Sequence, residues 1–253
     1  MSGQVDVKRQ GAIAVVTLCH AGKFNAMSRA MWLALKNVFQ QIQSDADIRC
    51  VVVAGLDGHF CAGGDISEYP GFRFDAAELQ HFHEQEVWGA LQAMLDCDVP
   101  IIAHIQGNCM GAGVEITSCC DIRLAADNAK FGAPIARLGF PMAPREAALV
   151  GQATGQTVAR AMLLAAEIFD AAEMLRCGFL TRVLPSDTLA AHVAQLAGRV
   201  QGLAPQAARL NKQTLRTLRS AGQSDPADPY AYANSDEHRE GISAFLEKRK
   251  PRF

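Results

Sequence analysis

Two glycine-rich turns and one glutamate are the residues of this 253-residue chain best placed to do chemistry. The first turn, His59-Phe60-Cys61-Ala62-Gly63-Gly64-Asp65, follows the apolar run Val51-Val52-Val53-Ala54-Gly55. The second, Gly107-Asn108-Cys109-Met110-Gly111-Ala112-Gly113, follows Ile101-Ile102-Ala103-His104-Ile105. Both read as buried strand, tight turn and helix start. Such a turn leaves backbone N–H groups without helical partners and aims them, with the helix dipole, at one point. Two turns side by side could set two N–H donors, those of Gly64 and Ala112, around one oxygen, which is how an oxyanion hole is built. Glu115 follows Ala112 by one helical turn and would bring a carboxylate beside that hole, able to move protons or orient water. The chemistry this suits is formation of an enolate next to a carbonyl. Spacing alone also admits a plainer reading, because glycine turns at strand–helix junctions are common and a lone glutamate often caps or pairs.

The elements that must position these residues are legible in the apolar pattern. Val5 to Leu18 alternates around Gln10-Gly11 and predicts a hairpin. Ser28 is a good N-cap for a helix carrying Met31, Leu35, Val38, Phe39 and Ile42 at helical spacing. A strand over Val51–Val53 follows. Ala76 to Cys97 predicts one long helix with Leu79, Phe82, Val87, Leu91 and Leu95 on one side. Strands are expected at 101–105, 122–126, 130–132 and 181–184, with helices over 114–120 and 145–164. A short helix, 171–176, starts after Ile168-Phe169-Asp170 and ends at Gly178. Helices alone follow, over 189–203, 206–218 and 235–248, with a loose polar stretch at 220–229. The strand–turn–helix unit recurs at about 50-residue spacing, predicting an α/β fold of repeated β-β-α coils. Residues 1–190 are expected to form this core and residues 191–253 a helical extension.

Composition narrows the class of function. The net charge of −2 speaks against a nucleic-acid footprint. The basic end Lys248-Arg249-Lys250-Pro251-Arg252 reads as a solvated terminus, with a nucleotide phosphate as its alternative partner. No apolar run approaches the roughly 18 residues of a membrane span, so no membrane association is expected. The eight cysteines are scattered, without Cys-x-x-Cys spacing, and predict reduced, buried thiols in a cytoplasmic protein.

The motifs Phe60-Cys61-Ala62-Gly63-Gly64-Asp65-Ile66, Gly111-Ala112-Gly113-Val114-Glu115, Cys120-Asp121-Ile122-Arg123 and Phe131-Gly132-Ala133-Pro134 occur here in a telling order. With the ending Ser235-Asp236-Glu237 … Glu240-Gly241-Ile242-Ser243-Ala244-Phe245-Leu246-Glu247-Lys248-Arg249, the chain resembles the enoyl-CoA hydratase/isomerase (crotonase) family over nearly its whole length. The resemblance implies a crotonase-like spiral of β-β-α units with a C-terminal helical trimerisation region, assembled as a homotrimer or a dimer of trimers. It implies an acyl-CoA thioester substrate, most simply a 2-enoyl-CoA hydrated to a 3-hydroxyacyl-CoA. Coenzyme A enters as part of that substrate, with no separate cofactor and no metal. It assigns the oxyanion donors to Gly64 and Ala112, the catalytic carboxylate to Glu115, and contacts to the coenzyme A moiety or acyl chain to Lys23, Phe24, Ala26, Ala62, Asp65, Ile66, Ile135 and Phe245. Lys248 is similar to a basic residue that reaches a neighbouring subunit's CoA phosphates.

One departure bears on the reaction. Hydratases of the family typically carry a second glutamate directly after the proline of Phe-Gly-x-Pro, and Ile135 stands there. The alternatives are hydration on Glu115 alone, a Δ3,Δ2-enoyl-CoA isomerase with one shuttling carboxylate, or a second group from elsewhere. A lyase, hydrolase or decarboxylase acting on acyl-CoA, and a non-catalytic acyl-CoA-binding protein, complete the set. Glu146 is expected to be a helix-start charge. Glu68, Tyr69, His81 and His83 lie where the family builds its acyl pocket, with both histidines expected to face solvent and no further ligands nearby for a metal.

Overall fold

The computed structural model describes residues 3–219 and 235–253. The polar stretch expected over 220–229 lies outside the described residues. β1 (Gln4–Gln10) and β2 (Ile13–Cys19) form the expected antiparallel hairpin. A loop then leads to α1 (Arg29–Ser44), whose first turn is capped by Ser28 Oγ accepting from Met31 N–H at 3.3 Å. β3 (Cys50–Gly55) runs through the first glycine turn into a 3₁₀ turn (Ile66–Gly71), then α2 (Ala76–His81) and α3 (Trp88–Asp96). β4 (Ile101–Ile105) leads to β5 (Asn108–Met110) and α4 (Ala112–Ser118). β6 (Ile122–Ala126) leads to β7 (Lys130–Gly132), a second 3₁₀ turn (Ile135–Leu138), α5 (Pro144–Thr154) and α6 (Gln156–Leu164). β8 (Ile168–Asp170), α7 (Ala171–Arg176), β9 (Arg182–Leu184) and the helices α8 (Ser186–Gln201), α9 (Pro205–Arg219) and α10 (Asp236–Leu246) complete the chain.

The coil is visible in the strand pairing. The large sheet has the order β1-β2-β3-β4-β6-β9, parallel throughout except for β1. The small sheet has the order β5-β7-β8 and is extended by the parallel bridges Cys61–Cys109 and Met27–Gly64. Each pass thus gives one strand to the large sheet and one short contact to the small layer, then a helix. Both faces of the large sheet are covered, as a parallel sheet requires. Along β3, Val51 and Val53 enter the main core with α1 and α3, while Cys50 and Val52 face α8 through Leu189, Val193 and Ala197. Sheets buried on both sides read as continuous apolar runs, which is why these strands stand out in the sequence. The boundary expected at residue 190 falls inside α8, which packs on that outer face.

Four elements differ from expectation, the first being Ile168–Asp170, which is strand β8 of the small sheet and not only the cap of α7. The helix expected over 76–97 is interrupted by a π-helical turn, Phe82–Val87. Its sign is in the apolar spacing, since Phe82 and Val87 are five residues apart where an α-helix returns to the same face after three or four. The 145–164 helix is two helices, broken at Gly155, whose φ of +82° no α-helix accommodates. The second glycine turn contains the short strand β5, held to β7 as part of the small sheet.

At the C-terminal end, α9 is tied to the core by Lys212 to Asp121 (2.7 Å) and Arg216 to Asp98 (2.9 Å). The basic tail is not wholly a loose end, because Arg249 pairs with Glu240 at 2.7 Å. Leu215, Leu218, Ile242, Phe245 and Leu246 are exposed on α9 and α10. No described helix is long and apolar enough to cross a membrane. The cysteines stand as thiols, six of them buried.

Candidate active site

The two glycine turns meet. Cys61 N–H donates to Asn108 O (2.9 Å) and Met110 N–H to Cys61 O (2.8 Å), stitching one turn to the other. Gly63 at φ +113° and Gly111 at φ +46° have conformations that a side chain rarely takes. They also pack closely, for a Cβ on Gly111 would lie 3.6 Å from Gly63 Cα. Beyond the glycines, the chain presents the amides of Gly64 and Ala112. Ala112 is the first residue of α4, so its N–H has no acceptor within that helix. On the other side, Met27 N–H donates to Gly63 O and Asp65 N–H to Met27 O, each at 2.8 Å, and the Gly64 N–H between them donates to neither strand. Gly64 and Ala112 both line one space.

That space is a cavity of about 320 Å³. Of the residues expected at the site, Ala62, Gly64, Ile66, Ala112, Glu115 and Ile135 line it. Lys23, Phe24, Ala26 and Asp65 are not in its wall but are joined to it. Ala62 N–H donates to Phe24 O at 3.0 Å, and Lys23 Nζ donates to Asp65 Oδ2 at 2.6 Å and Ser67 Oγ at 2.8 Å. Asp65 is buried and also caps the 3₁₀ turn by accepting from Ser67 N–H, so it fixes the end of the first glycine turn. Phe24 and Asn25 hold positive φ, with Asn25 donating to Leu56 O and His59 O at 2.8 Å each. Phe245 and Lys248 lie at the end of α10 and beyond it, and are brought into no contact with this cavity within one chain.

Glu115 projects from the first turn of α4 into the cavity and has no hydrogen-bond or ion-pair partner among the described residues. Burial, reinforced by the nearby charge of Glu146, pushes its carboxyl group up to about 8, so it largely holds its proton at neutral pH. The same cavity has an aromatic wall. Tyr69 packs edge-on against Phe72, Phe82 and Phe140, and burial pushes its phenol up to about 12. The Tyr69 hydroxyl sits where a Gly64 side chain would be, 2.1 Å from the Cβ position. Arg73 lies over the rings of Phe140 (3.7 Å) and Tyr69 (4.6 Å), a stacked cation at the cavity wall.

Two side chains depart from the sequence reading. His83 faces solvent only in part, with 22 % of its side chain exposed. It lines the cavity from the π-helical turn, and its Nδ1 is 3.1 Å from Glu146 Oε1. Glu146 does start α5, but it is 2 % exposed rather than a solvated helix-start charge. His81 is exposed, as expected, and lies 3.8 Å from Glu86. Glu68 is engaged elsewhere, accepting from Arg29 N–H at 2.8 Å. The sequence marks His83 only through the five-residue apolar step described above, and it marks the partnership with Glu146 not at all. No cluster of three metal-ligating side chains exists among the described residues.

The arrangement pairs two N–H donors with a carboxyl group in an apolar cavity, which suits charge developing on a carbonyl oxygen while a proton moves at the adjacent carbon. Comparison with known proteins is consistent with this geometry. The family model described as enoyl-CoA hydratase/isomerase matches residues 8–253. The chain is 31% identical to the 2,3-dehydroadipyl-CoA hydratase of Escherichia coli, covering 98% of this chain and 97% of that protein. It is 30% identical to the crotonyl-CoA hydratase of Syntrophomonas wolfei, covering 98% and 96%. Among solved structures, an enoyl-CoA hydratase/carnithine racemase from Magnetospirillum magneticum superimposes with a TM-score of 0.95 at 34% identity, covering 98% of this chain and 94% of that one.

Proposed function

The chain belongs to the enoyl-CoA hydratase/isomerase family, and we propose that it hydrates a 2-enoyl-CoA thioester to the 3-hydroxyacyl-CoA. The observation that carries this reading is a single cavity lined by Gly64, Ala112 and Glu115. The thioester oxygen accepts from both amides, and addition of water to the β carbon drives charge onto it. Each donor of this kind is worth about 3–4 kcal/mol of barrier. Glu115, protonated near neutrality, supplies the proton to the α carbon.

The CoA portion runs, in this proposal, along Lys23, Phe24, Ala26, Ala62, Asp65 and Ile66. The hydrogen bonds joining Phe24 to Ala62 and Lys23 to Asp65 support treating these as one continuous surface. Ile135 contacts the acyl chain. Three copies of the chain assemble through the C-terminal helices, singly or as a dimer of trimers, with Phe245 and Lys248 reaching a neighbour's ligand. The exposed apolar side chains of α9 and α10 support this.

The test is hydration of crotonyl-CoA, measured beside isomerisation of a 3-enoyl-CoA, for the wild type and Glu115→Gln. Hydration in the wild type, falling about 10²–10⁴-fold in the variant, is expected. Equal rates in the two proteins would remove Glu115 from the mechanism. The absence of a carboxylate at Ile135 favours the one-carboxylate isomerase as the second reading, and turnover confined to the 3-enoyl ester would establish it instead.

A further inference from the structure

A guanidinium group that meets a carboxylate is held and neutralised where it lies. Arg29, Arg216 and Arg249 each meet one, on Glu86, Asp98 and Glu240. Arg73 lines the cavity and makes no ion pair among the described residues. Glu115 is the one carboxyl group among the lining residues, and it pairs with no cation. The contrast shows in proton affinity. Glu86 raises that of Arg29, whereas burial lowers that of Arg73. Arg73 is a cation partly withdrawn from water with no anion set against it.

The guanidinium is nonetheless held in place. It lies 3.7 Å from the centre of the Phe140 ring and 4.6 Å from that of Tyr69. Arg73 Nη1 donates to His83 Nε2 at 3.5 Å, and His83 Nδ1–H donates to the buried Glu146 carboxylate at 3.1 Å. This chain of contacts orients the group and uses one of its five N–H donors. The other donors meet no acceptor among the described residues. A guanidinium held over rings keeps a fork of in-plane donors, and that fork matches a carboxylate. Tyr69 fixes where such a carboxylate would lie. Its hydroxyl end abuts Gly64, 2.1 Å from the position of a Cβ there, and its ring lies under the guanidinium. The length of a phenol ring therefore separates Gly64 from the cation.

We propose that Arg73 binds a carboxylate at the far end of the acyl chain, and that the substrate is a short enoyl-CoA ending in a free carboxyl group. The inference rests on the acyl-CoA hydratase reading above and names its substrate class. With the thioester oxygen at Gly64 and Ala112, the acyl chain runs along the Tyr69 ring to the guanidinium. A carboxylate there accepts from the free N–H donors of Arg73. An alkyl chain of the same length displaces water from the guanidinium and offers no acceptor, leaving a cation desolvated and unpaired. A chain as short as crotonyl stops before the guanidinium and leaves it hydrated. Arg73 thus reads the charge at the end of the chain, and His83 and Glu146 are its positioning residues. Arg137, the other cation in the wall, is exposed and donates to Ala166 O at 3.3 Å, so it takes no part in this contact.

The test measures binding and turnover separately. Glutaryl- and adipyl-CoA, saturated esters with a free carboxyl end, are compared by titration calorimetry with valeryl- and hexanoyl-CoA, neutral esters of the same lengths. The wild type is expected to bind at least one carboxyl ester about 10–100-fold more tightly than its neutral partner. Arg73→Gln should bring that ratio within threefold. Arg73→Lys should lower it at least threefold without abolishing it, because a point charge replaces the fork. Arg145→Gln, which removes a cation paired with Glu84 outside the cavity wall, should leave the ratio as it is. A wild-type ratio within threefold at both lengths overturns the proposal. So does a ratio that survives both Arg73 variants, or one that falls equally in Arg145→Gln, since a general positive field would then be its cause. A ratio lost in Arg137→Gln and kept in Arg73→Gln also overturns it. Hydration of the mono-CoA esters of pent-2-enedioic and hex-2-enedioic acids, with the double bond beside the thioester, is measured against pent-2-enoyl- and hex-2-enoyl-CoA. The same ratio is expected in kcat/KM. Charge-selective binding without hydration of any ester overturns the hydratase reading and upholds the carboxylate contact. Hydration without charge selectivity does the reverse.

Discussion

His83 Nδ1 lies 3.1 Å from Glu146 Oε1, and the two residues are 63 positions apart in the chain. The π-helical turn carries one and the first turn of α5 carries the other, so the cavity wall is closed by a contact between two passes of the coil. Glu146 also raises the proton affinity of Glu115. One buried carboxylate therefore bears on both the His83 imidazole and the Glu115 carboxyl group.

The rate of hydration is expected to fall as pH rises through about 8. Glu115 acts in its protonated form, and its carboxyl group is held near that value by burial and by Glu146. kcat measured at saturating crotonyl-CoA should be lost about tenfold per pH unit above it. A kcat that instead rises through this range would mean that Glu115 works as the ionised base.

Stability should carry the same signature. Unfolded, Glu115 ionises near 4.5, and folded it ionises near 8. A raised folded value means that stability is lost as pH climbs from the lower to the higher figure and is constant above it. Glu115→Gln removes this cost, up to a ceiling of roughly 5 kcal/mol from the size of the shift. The Tm difference between variant and wild type should be small at pH 4.5 and grow to its maximum by about pH 8. A difference independent of pH would show that burial of this group is not costly.

Gly64→Ala is expected to lower hydration about 100-fold while its amide remains, because the new Cβ would meet the Tyr69 hydroxyl at 2.1 Å. Without that oxygen the nearest ring atom is Cζ, at 3.2 Å. Adding Tyr69→Phe to Gly64→Ala should therefore recover at least tenfold in kcat. If the double variant is no better than the single one, the turn rather than the phenol is what the methyl group disturbs.

Arg29 pins the π-helical turn from outside the cavity. Its guanidinium donates to both oxygens of the buried Glu86, with Nε distances of 3.1 and 3.0 Å, and stacks on Phe72. Arg29→Met would leave Glu86 buried without its cation, at a cost of about 3–5 kcal/mol. Chemical denaturation should read that loss. A change below about 1 kcal/mol would show that Glu86 finds another partner, for which His81 at 3.8 Å is the nearest.

The sequence by itself determined the strands of the large sheet, the glycine turns, most of the helix starts and the place of Glu115. Each depends on rules that act within a few residues. Apolar runs mark strands buried on both faces, as in β3 and β4, and Ser28 and Asp170 cap the helices that follow them. Motif order added the family. Tertiary structure alone decided which groups share the cavity. That Gly64 N–H lies between two strand hydrogen bonds and takes part in neither depends on how Met27 pairs with the turn. That Glu146 is buried against His83 depends on α5 crossing the π-helical turn, and nothing within a few residues of either position encodes that crossing. A hydrogen bond across 63 positions is a product of packing, and packing is set by the whole core at once.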